Sequence, residues 1–271
     1  MTNDRGRAVD ALILAGPYPV RHARRPRRPS GAVIEIYGRI PKLFVLSEIL
    51  RFSDDPVDAR YGELKGSRLP RHIGIIPDGN RRWAVDRGLE KRSGYDHGID
   101  PAFDLYERCR TLGVKEVSIY GFTRENTKRP REQREAYQAA CVKAVHRLEE
   151  LDADLLIVGD SGSALFPDEF RPFTTRRRIG RGGIKVNLLI NYSWRWDLDQ
   201  LEATGRIGSS DVSEIELVIR WGGRSRLSGF LPVQCAYADL FVLEDLWPDY
   251  GPQHLVKALE WYQAQDITKG G

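Results

Sequence analysis

A short apolar run that ends in a sharp turn is the feature that most constrains how this chain can fold. Residues 72–76 (HIGII) are rich in β-branched side chains, and Pro77, Asp78 and Gly79 follow directly. β-branched residues favour strands, whereas proline and glycine end them. The sequence therefore predicts a buried strand that stops abruptly before a helix beginning near Asn80.

Three later segments repeat the pattern of an apolar strand with a polar, arginine-bearing end. They are residues 117–122 (VSIYGF), 184–192 (IKVNLLINY) and 216–220 (ELVIR), with helical patterns between them. Strands that alternate with helices predict a parallel sheet with helices on its faces. We therefore expect an α/β fold in which a central, mostly parallel β-sheet is flanked by helices.

The turn after the first predicted strand combines one carboxylate, two arginines and a helix start. The free N–H groups and positive dipole end of a helix bind phosphate, and Arg81 and Arg82 add charge-assisted hydrogen bonds. A carboxylate beside a phosphate repels it unless a divalent cation lies between them, so Asp78 predicts Mg²⁺ bridging the protein and a phosphorylated substrate. Taken alone, the turn fits an ordinary strand-to-helix connection with Asp78 as N-cap equally well.

The polar ends of the four predicted strands are expected to meet, because ligands collect at the carboxyl ends of parallel strands. This placement would bring the arginines of the later segments towards those of the first turn. An arginine cluster of that size suits one diphosphate or two. The residues expected to converge are Arg81, Arg82, Arg129, Arg220, Arg224 and Arg226.

Composition excludes several other classes of protein. The chain has 271 residues, 30% of them charged, yet its formal net charge is only +4, so its basic character is local. Cys109, Cys141 and Cys235 are widely spaced in apolar helical patterns, which predicts buried thiols rather than a metal site or a disulfide framework. No apolar run reaches the roughly 20 residues that span a bilayer, and a cytoplasmic location is expected.

Five blocks, in order from about Leu69 onwards, resemble the cis-prenyltransferases, the family of undecaprenyl diphosphate synthase and the short-chain Z-isoprenyl diphosphate synthases. They read DGNRRWA, SIYGFTRENTKRP, ELVIRWGGRSRLSGF, QCAYADLF and LWPD. The resemblance implies condensation of isopentenyl diphosphate with an allylic diphosphate to a short- or medium-chain Z-polyprenyl diphosphate. It further implies Mg²⁺, the family's α/β fold in a single catalytic domain, and a homodimer.

The resemblance also assigns roles to individual residues. Asp78 would orient Mg²⁺, and Asp239 takes the position of a family glutamate that helps to place the metal; a buried capping carboxylate is the alternative for Asp239. Asn80 and Thr123 would position the homoallylic substrate or its departing proton. Asn126, otherwise a loop cap, would help to order a loop over the site. The substrate-binding residues implied in this way are Gly79, Arg81, Arg82, Trp83, Lys91, Arg92, Tyr95, Thr123, Arg129, Arg220, Arg226 and Ser228.

Some of these assignments have a simpler structural alternative. Arg129 could form a surface salt bridge, and Trp83 is better interpreted as a packing residue that shapes the pocket. In this family, helices corresponding to residues 99–112 and 131–151 wall a hydrocarbon tunnel. Apolar stripes of this kind are usually plain core, so the tunnel follows from the resemblance alone. The stripe residues include Phe103, Tyr106, Cys109, Tyr137, Cys141 and Val145.

The chain departs from the family pattern at several positions. Tyr95 stands at a usual histidine, Thr127 at a common aromatic, Arg224 at a usual glutamate, and Lys269 at the arginine of a C-terminal motif. These changes keep a second hypothesis open, in which the enzyme couples prenyl diphosphates irregularly or cyclises them to a terpene. A non-catalytic prenyltransferase subunit is a weaker alternative, because Asp78 and the key arginines remain.

The sequence outside the family blocks divides into two further parts. Residues 1–30 form an arginine- and proline-rich tail, expected to be a flexible, solvated extension rather than a binder of nucleic acid or acidic lipid. Residues 31–68 are predicted to hold an amphipathic helix over 34–52 and a polar linker over 53–68. That helix could pack on the core or make peripheral membrane contact. Residues 69–271 form the predicted catalytic domain.

Overall fold

One mostly parallel sheet organises the computed structural model, which describes residues 56–266. Its seven strands are β1 (His72–Ile76), β2 (Glu116–Tyr120), β3 (Ala153–Val158), β4 (Arg177–Ile179), β5 (Lys185–Leu189), β6 (Leu217–Arg220) and β7 (Asp239–Val242). They are ordered β4-β3-β5-β2-β1-β6-β7, and within this sheet β4 alone runs antiparallel to its neighbour. The predicted α/β class with a mostly parallel sheet is confirmed.

Helices flank the sheet, and most of them pack on one of its faces. Their bounds are α1 (Pro56–Leu64), α2 (Asn80–Asp86), α3 (Gly94–His97), α4 (Ile99–Leu112), α5 (Arg131–Leu148), α6 (Trp194–Thr204) and α7 (Pro252–Gln263), with 3₁₀ turns at Arg124–Lys128, Asp168–Phe173 and Trp247–Asp249. The helix predicted to begin near Asn80 is α2, and α4 has the bounds expected from the sequence. Helix α5 ends three residues before the predicted Leu151. None of the described helices has the length and apolar character needed to cross a membrane.

The sheet has a hydrophobic layer on each face. All five residues of β1 are buried, as expected for a parallel strand covered on both sides. One face packs against α1, α4, α5 and α7 through a large apolar cluster. The other packs against loop residues including Phe230 and Leu231, with Trp196 of α6 at its margin. These layers hold the strand ends in fixed positions.

Helix α1 corrects the prediction of a polar linker over residues 53–68. Val57, Tyr61 and Leu64 are spaced for one helix face and pack on the core. The Tyr61 hydroxyl donates to the Pro252 carbonyl at 2.8 Å, and Arg60 pairs with Glu260, both on α7. Residues 56–266 belong to one compact unit. The predicted tail, the predicted 34–52 helix and Lys269 lie outside the described residues, and the domain boundaries at 30 and 68 stay predictions.

The register of the central strands fixes where their polar ends meet. Ile75 of β1 is paired with Ile119 of β2, and Ile76 with Arg220 of β6. Asp78 and Thr123 follow β1 and β2 at this same edge. The carboxyl edge of β1, β2 and β6 is therefore the place to look for a site.

Candidate active site at the carboxyl edge of the sheet

The turn after β1 is held in place by the segment that follows β7. The Trp247 N–H donates to the Asp78 carbonyl at 3.0 Å. Gly79 has a φ of +113°, and a Cβ added there would lie 2.8 Å from Leu246 Cδ2. Because glycine alone combines this backbone with so close an approach, the turn can bring Asp78 to the sheet edge in one defined geometry.

Asp78 and Arg220 form the central ion pair of the site. Arg220 Nη2 donates to Asp78 Oδ2 at 2.9 Å, and Arg82 Nη2 lies 3.7 Å from Asp78 Oδ1. The Arg220 side chain is only 4% exposed, whereas that of Asp78 is 38% exposed. The pair therefore presents its carboxylate to the open side, where a cation or a substrate can reach it.

The loop after β6 completes the coordination of Arg220. Arg220 Nη1 donates to Ser228 Oγ at 2.8 Å and to the Arg226 carbonyl. Its Nε is buried and has no hydrogen-bond partner among the described residues. A buried guanidinium whose Nε–H has no partner can donate to a further anionic oxygen, since unpaired buried donors are costly.

A second glycine lets Arg82 reach this network. Gly222 has a φ of +87°, and an added Cβ would lie 2.4 Å from Arg82 Nη2. Arg82 Nη2 donates to the Gly222 carbonyl at 2.9 Å. The absence of a side chain at Gly222 is therefore what lets the Arg82 guanidinium lie beside Asp78.

These groups open into a polar cavity of about 420 Å³, which we call the polar pocket. Four cationic and two acidic side chains line it, so its field favours a polyanion. That excess of positive charge fits a diphosphate better than a neutral ligand. Its lining residues are Pro77, Asp78, Gly79, Asn80, Arg81, Arg82, Val85, Asp86, Lys91, Tyr95, Arg129 and Tyr137.

The segment after β2 positions Arg129 on the pocket wall. The Asn126 N–H donates to the Thr123 carbonyl at 3.0 Å, and the Arg129 N–H donates to the Asn126 carbonyl at 3.0 Å. Arg129 Nη1 then donates to the Tyr95 hydroxyl at 3.0 Å, so the alternative of a surface salt bridge is not what this side chain forms. Thr123 is buried, and neither Thr123 nor Asn126 lines the polar pocket.

An apolar cavity of about 110 Å³ adjoins the polar pocket, and we call it the apolar cavity. Burial raises the pKa of the Tyr106 hydroxyl and of the Cys141 thiol to about 12, so both stay uncharged at neutral pH. The cavity is walled by α4, α5 and the central strands, as the resemblance implied. Residues of these elements in its lining are Ile99, Ala102, Phe103, Tyr106, Ile119, Tyr120, Tyr137, Ala140, Cys141, Ala144, Val145, Leu148, Leu155, Val186 and Leu188; Cys109 belongs to the core instead.

Six predicted substrate-binding residues do not line the polar pocket: Thr123, Arg220 and Ser228, described above, and Trp83, Arg92 and Arg226. Trp83 packs inside the protein, where its Nε1 donates to Asp249 Oδ1 at 2.7 Å. Arg92 is exposed and pairs with Glu90 at 2.5 Å. Arg226 contributes its carbonyl to Arg220, while its side chain lies on the exposed part of the loop. The structure thus supports a packing role for Trp83 and gives Arg92 no place at the site.

The two carboxylates of the predicted metal site are not brought together within one chain. Asp239 is the first residue of β7 and is in register with Leu217, the first residue of β6. Asp78 follows the carboxyl end of β1, level with the far end of β6. Three residues of strand, about 10 Å, separate these levels. Asp78 is thus the carboxylate at the carboxyl edge, and the role of Asp239 in placing the metal stays a prediction.

Of the residues that line the polar pocket, Pro77, Val85 and Asp86 were not predicted as site residues from the sequence. Val85 and Asp86 lie three and four residues after Arg82 on α2, the spacing that places side chains on one helix face. Helical periodicity after the glycine turn was the signal that could have found them. Asp86 adds a second carboxylate to the pocket, so the net positive charge of the pocket is smaller than the arginines alone indicate.

Comparisons with known proteins show which sequences this chain is similar to. A family model described as "Putative undecaprenyl diphosphate synthase" matches residues 76–270. An isoprenyl transferase of Heliobacterium mobile is 32% identical over 233 residues, covering 75% of this chain and 88% of that protein. A ditrans,polycis-undecaprenyl-diphosphate synthase of Aliivibrio fischeri, (2E,6E)-farnesyl-diphosphate specific, is 27% identical over 228 residues, covering 74% and 89%.

A solved structure shares the fold. The crystal structure of lavandulyl diphosphate synthase from Lavandula x intermedia, in complex with dimethylallyl diphosphate, is similar with a TM-score of 0.60. The alignment covers 75% of this chain and 98% of that one at 21% identity. At that identity the likeness concerns the arrangement of helices and strands.

Proposed function

Because this chain belongs to the undecaprenyl diphosphate synthase family of prenyltransferases, we propose that it condenses isopentenyl diphosphate with an allylic diphosphate. The product would be a short- or medium-chain Z-polyprenyl diphosphate. The observation that carries this proposal is the junction of a cationic pocket with an uncharged apolar cavity. An allylic diphosphate has these two parts, a charged head and a hydrocarbon tail.

The allylic diphosphate is assigned to the polar pocket. Arg82 and Arg129 donate charge-assisted hydrogen bonds to it, and Arg81 and Lys91 add positive charge at the pocket wall. Isopentenyl diphosphate is assigned to the loop after β6, through Arg220, Ser228 and Arg226. The unused Nε of the buried Arg220 supports this assignment, because a phosphate oxygen would supply its missing partner.

The reaction breaks the allylic C–O bond, and the electron pair leaves with the diphosphate. The double bond of isopentenyl diphosphate supplies the electrons of the new C–C bond, and loss of a proton then forms the cis double bond. Arginines already in place stabilise the leaving charge without reorganising. Asn80 borders both cavities with a buried Oδ1 that lacks a partner among the described residues, which supports its role, with Thr123, in positioning the second substrate or its proton.

The residues present fit a magnesium ion shared with substrate. No group of three His, Cys, Asp or Glu side chains comes together within residues 56–266, so the chain alone offers no complete cage. Mg²⁺ is commonly held by one or two carboxylates together with substrate phosphates, and the half-exposed Asp78 offers such a carboxylate. When bound there, the ion would neutralise charge on the departing diphosphate.

A homodimer is the assembly that we propose. Trp194, Leu198 and Leu201 share one face of α6, and between 41% and 49% of each is exposed. Apolar side chains at this spacing form a stripe suited to a partner surface. Sedimentation of the purified protein, with Leu198→Lys and Leu201→Lys as variants, tests it. A wild-type monomer at micromolar concentration would refute the proposal.

Irregular coupling or cyclisation to a terpene is the second candidate. The observation that favours it is Tyr95, which replaces a usual histidine and places an aromatic ring between the two cavities. Purified protein is incubated with labelled isopentenyl diphosphate, Mg²⁺ and dimethylallyl, geranyl or farnesyl diphosphate in turn. A linear Z-prenyl product supports the main proposal, an irregular or cyclic product supports the second, and no incorporation with any primer refutes both.

A further inference from the structure

We infer that Tyr95 and Tyr137 form a gate between the polar pocket and the apolar cavity, and that a diphosphate bound by Arg129 opens it. The inference rests on the proposed function and adds to it the element that selects the length of the allylic tail. Four residues line both cavities, namely Pro77, Asn80, Tyr95 and Tyr137. The two tyrosines are the large side chains among them, so they control the passage.

The Tyr95 and Tyr137 rings stack against each other. Their centroids are 4.5 Å apart and their planes differ by only 7°. Stacked aromatic rings at this distance attract each other and leave no space for a chain between them. The route between the two rings is therefore closed in this structure by a stacking contact, which can be separated without unfolding either helix.

Tyr137 is the fixed half of the gate. Its hydroxyl donates to the Gly121 carbonyl at 3.0 Å, and the Phe122 ring packs edge-on against it at 5.8 Å. Burial raises the pKa of Tyr137, so the hydroxyl keeps its proton and the hydrogen bond persists. These contacts attach the ring to the end of β2.

Tyr95 is the half that can move, and its movement is confined to the side chain. Helix α3 lies so close to α2 that a Cβ added at Gly94 would be 2.0 Å from the Asn80 carbonyl oxygen. The backbone beneath Tyr95 is thereby held in place. Its hydroxyl, in contrast, has one hydrogen bond among the described residues, which it accepts from Arg129 Nη1.

Arg129 connects the gate to ligand binding. Its guanidinium lines the polar pocket and also lies over the Tyr137 ring at 5.4 Å. A phosphate oxygen carries negative charge and accepts a stronger hydrogen bond from arginine than a neutral phenol does. A diphosphate in the pocket therefore competes for the donor that holds Tyr95, and the ring is released as the diphosphate binds.

The small size of the apolar cavity explains why the gate matters for ligands with long tails. At about 110 Å³ it is smaller than the roughly 300 Å³ at which ligand pockets begin, so a long prenyl tail requires it to widen. Widening at the gate joins the cavity to the polar pocket. Ligands with long tails thus depend on gate opening, whereas a five-carbon tail depends on it less.

The first test compares ligands that differ only in tail length. The ligands are dimethylallyl and farnesyl thiodiphosphates, which are not turned over. Calorimetry measures their dissociation constants for wild type, Tyr95→Ala and Tyr95→His. In both variants we expect the ratio of the dimethylallyl to the farnesyl dissociation constant to be about tenfold higher than in wild type. Tyr95→His carries the residue usual in the family and guards against failure to fold. Tyr237→Ala, a 66% exposed tyrosine that lines neither cavity, is the matched control and keeps the wild-type ratio.

The second test measures the coupling itself. Inorganic diphosphate is expected to tighten binding of farnesol, an uncharged tail, by about tenfold in wild type. Tyr95→Phe keeps the ring but removes the hydroxyl held by Arg129, so the coupling is lost. An unchanged tail preference in both Tyr95 variants, or full coupling in Tyr95→Phe, would overturn the gate. Both tests measure binding alone, so they remain decisive if labelled isopentenyl diphosphate is not incorporated and the proposed reaction fails.

Discussion

Replacing Gly222 by alanine tests whether the site depends on the position of Arg82. The added Cβ would lie 2.4 Å from Arg82 Nη2 and 3.2 Å from Asp78 Cβ, so the guanidinium has to leave the Gly222 carbonyl. Hydrogen bonds to charged groups contribute about 1.5–3 kcal/mol, which corresponds to a loss of about 10- to 150-fold in kcat/KM. We expect a loss in this range with the allylic diphosphate as varied substrate.

The chain offers a matched control for backbone strain. Gly205 also has a positive φ, +77°, but a Cβ added there meets nothing within 4 Å. Both alanine variants lose about 1–2 kcal/mol of unfolding free energy, because both force an L-residue into the left-handed region. Incorporation of labelled isopentenyl diphosphate and denaturant melts measure the two effects separately. Equal kcat/KM values for Gly222→Ala and Gly205→Ala would refute the role given to Arg82.

Three further predictions follow from the same structure. Asp78→Ala is expected to lower Mg²⁺-dependent turnover by about 10³-fold while circular dichroism shows a folded protein; near-normal turnover would contradict the mechanism. Burial lowers the pKa of His72 from its ordinary value of 6.5. As the pH falls below about 6.5, His72 therefore takes up a proton in the unfolded chain before it does so in the folded protein, and the free energy of unfolding decreases. Urea melts at several pH values are expected to show that the unfolding free energy of His72→Gln decreases less as the pH falls. The decrease that remains comes from His254, whose pKa burial also lowers. The same pH dependence of the unfolding free energy in wild type and His72→Gln would count against this. Burial raises the pKa of Cys109 and Cys141 to about 12, so iodoacetamide at neutral pH leaves both unmodified in the native protein, as mass spectrometry of the peptides would check.

Local signals were sufficient to predict the centre of the fold. The apolar run of β1, its Pro-Asp-Gly exit and the alternation with helices depend on neighbouring residues, and all are present in the structure. Convergence at the carboxyl edge follows from a parallel sheet and places Arg82 and Arg220 beside Asp78. General rules of strand direction are thus sufficient to place these three side chains at one edge of the sheet.

Helix α1 was missed although its signal was present. Val57, Tyr61 and Leu64 have helical spacing, but the charged residues between them made the segment read as a linker. Its stability comes from packing against α7, which is about 200 residues away along the chain. Such tertiary contacts stabilise short helices that local composition does not favour.

Asp239 illustrates the difference between a motif and a position. The motif identifies Asp239 as the residue at the position of the family glutamate. The register of β7 determines on which edge of the sheet Asp239 lies. The contact between Tyr95 and Arg129 is similarly a meeting of side chains 34 residues apart. Neither can be read from a sequence pattern, because both depend on how separate elements dock.

The central claim is that both substrates bind at the carboxyl edge of the sheet. A crystal structure with Mg²⁺, isopentenyl thiodiphosphate and an allylic thiodiphosphate tests it most directly. We predict one diphosphate in contact with Arg82 and Arg129, the other with Arg220 and Ser228, and the allylic tail in the apolar cavity. Density for either diphosphate at another part of the chain, with these arginines unchanged, would contradict the account.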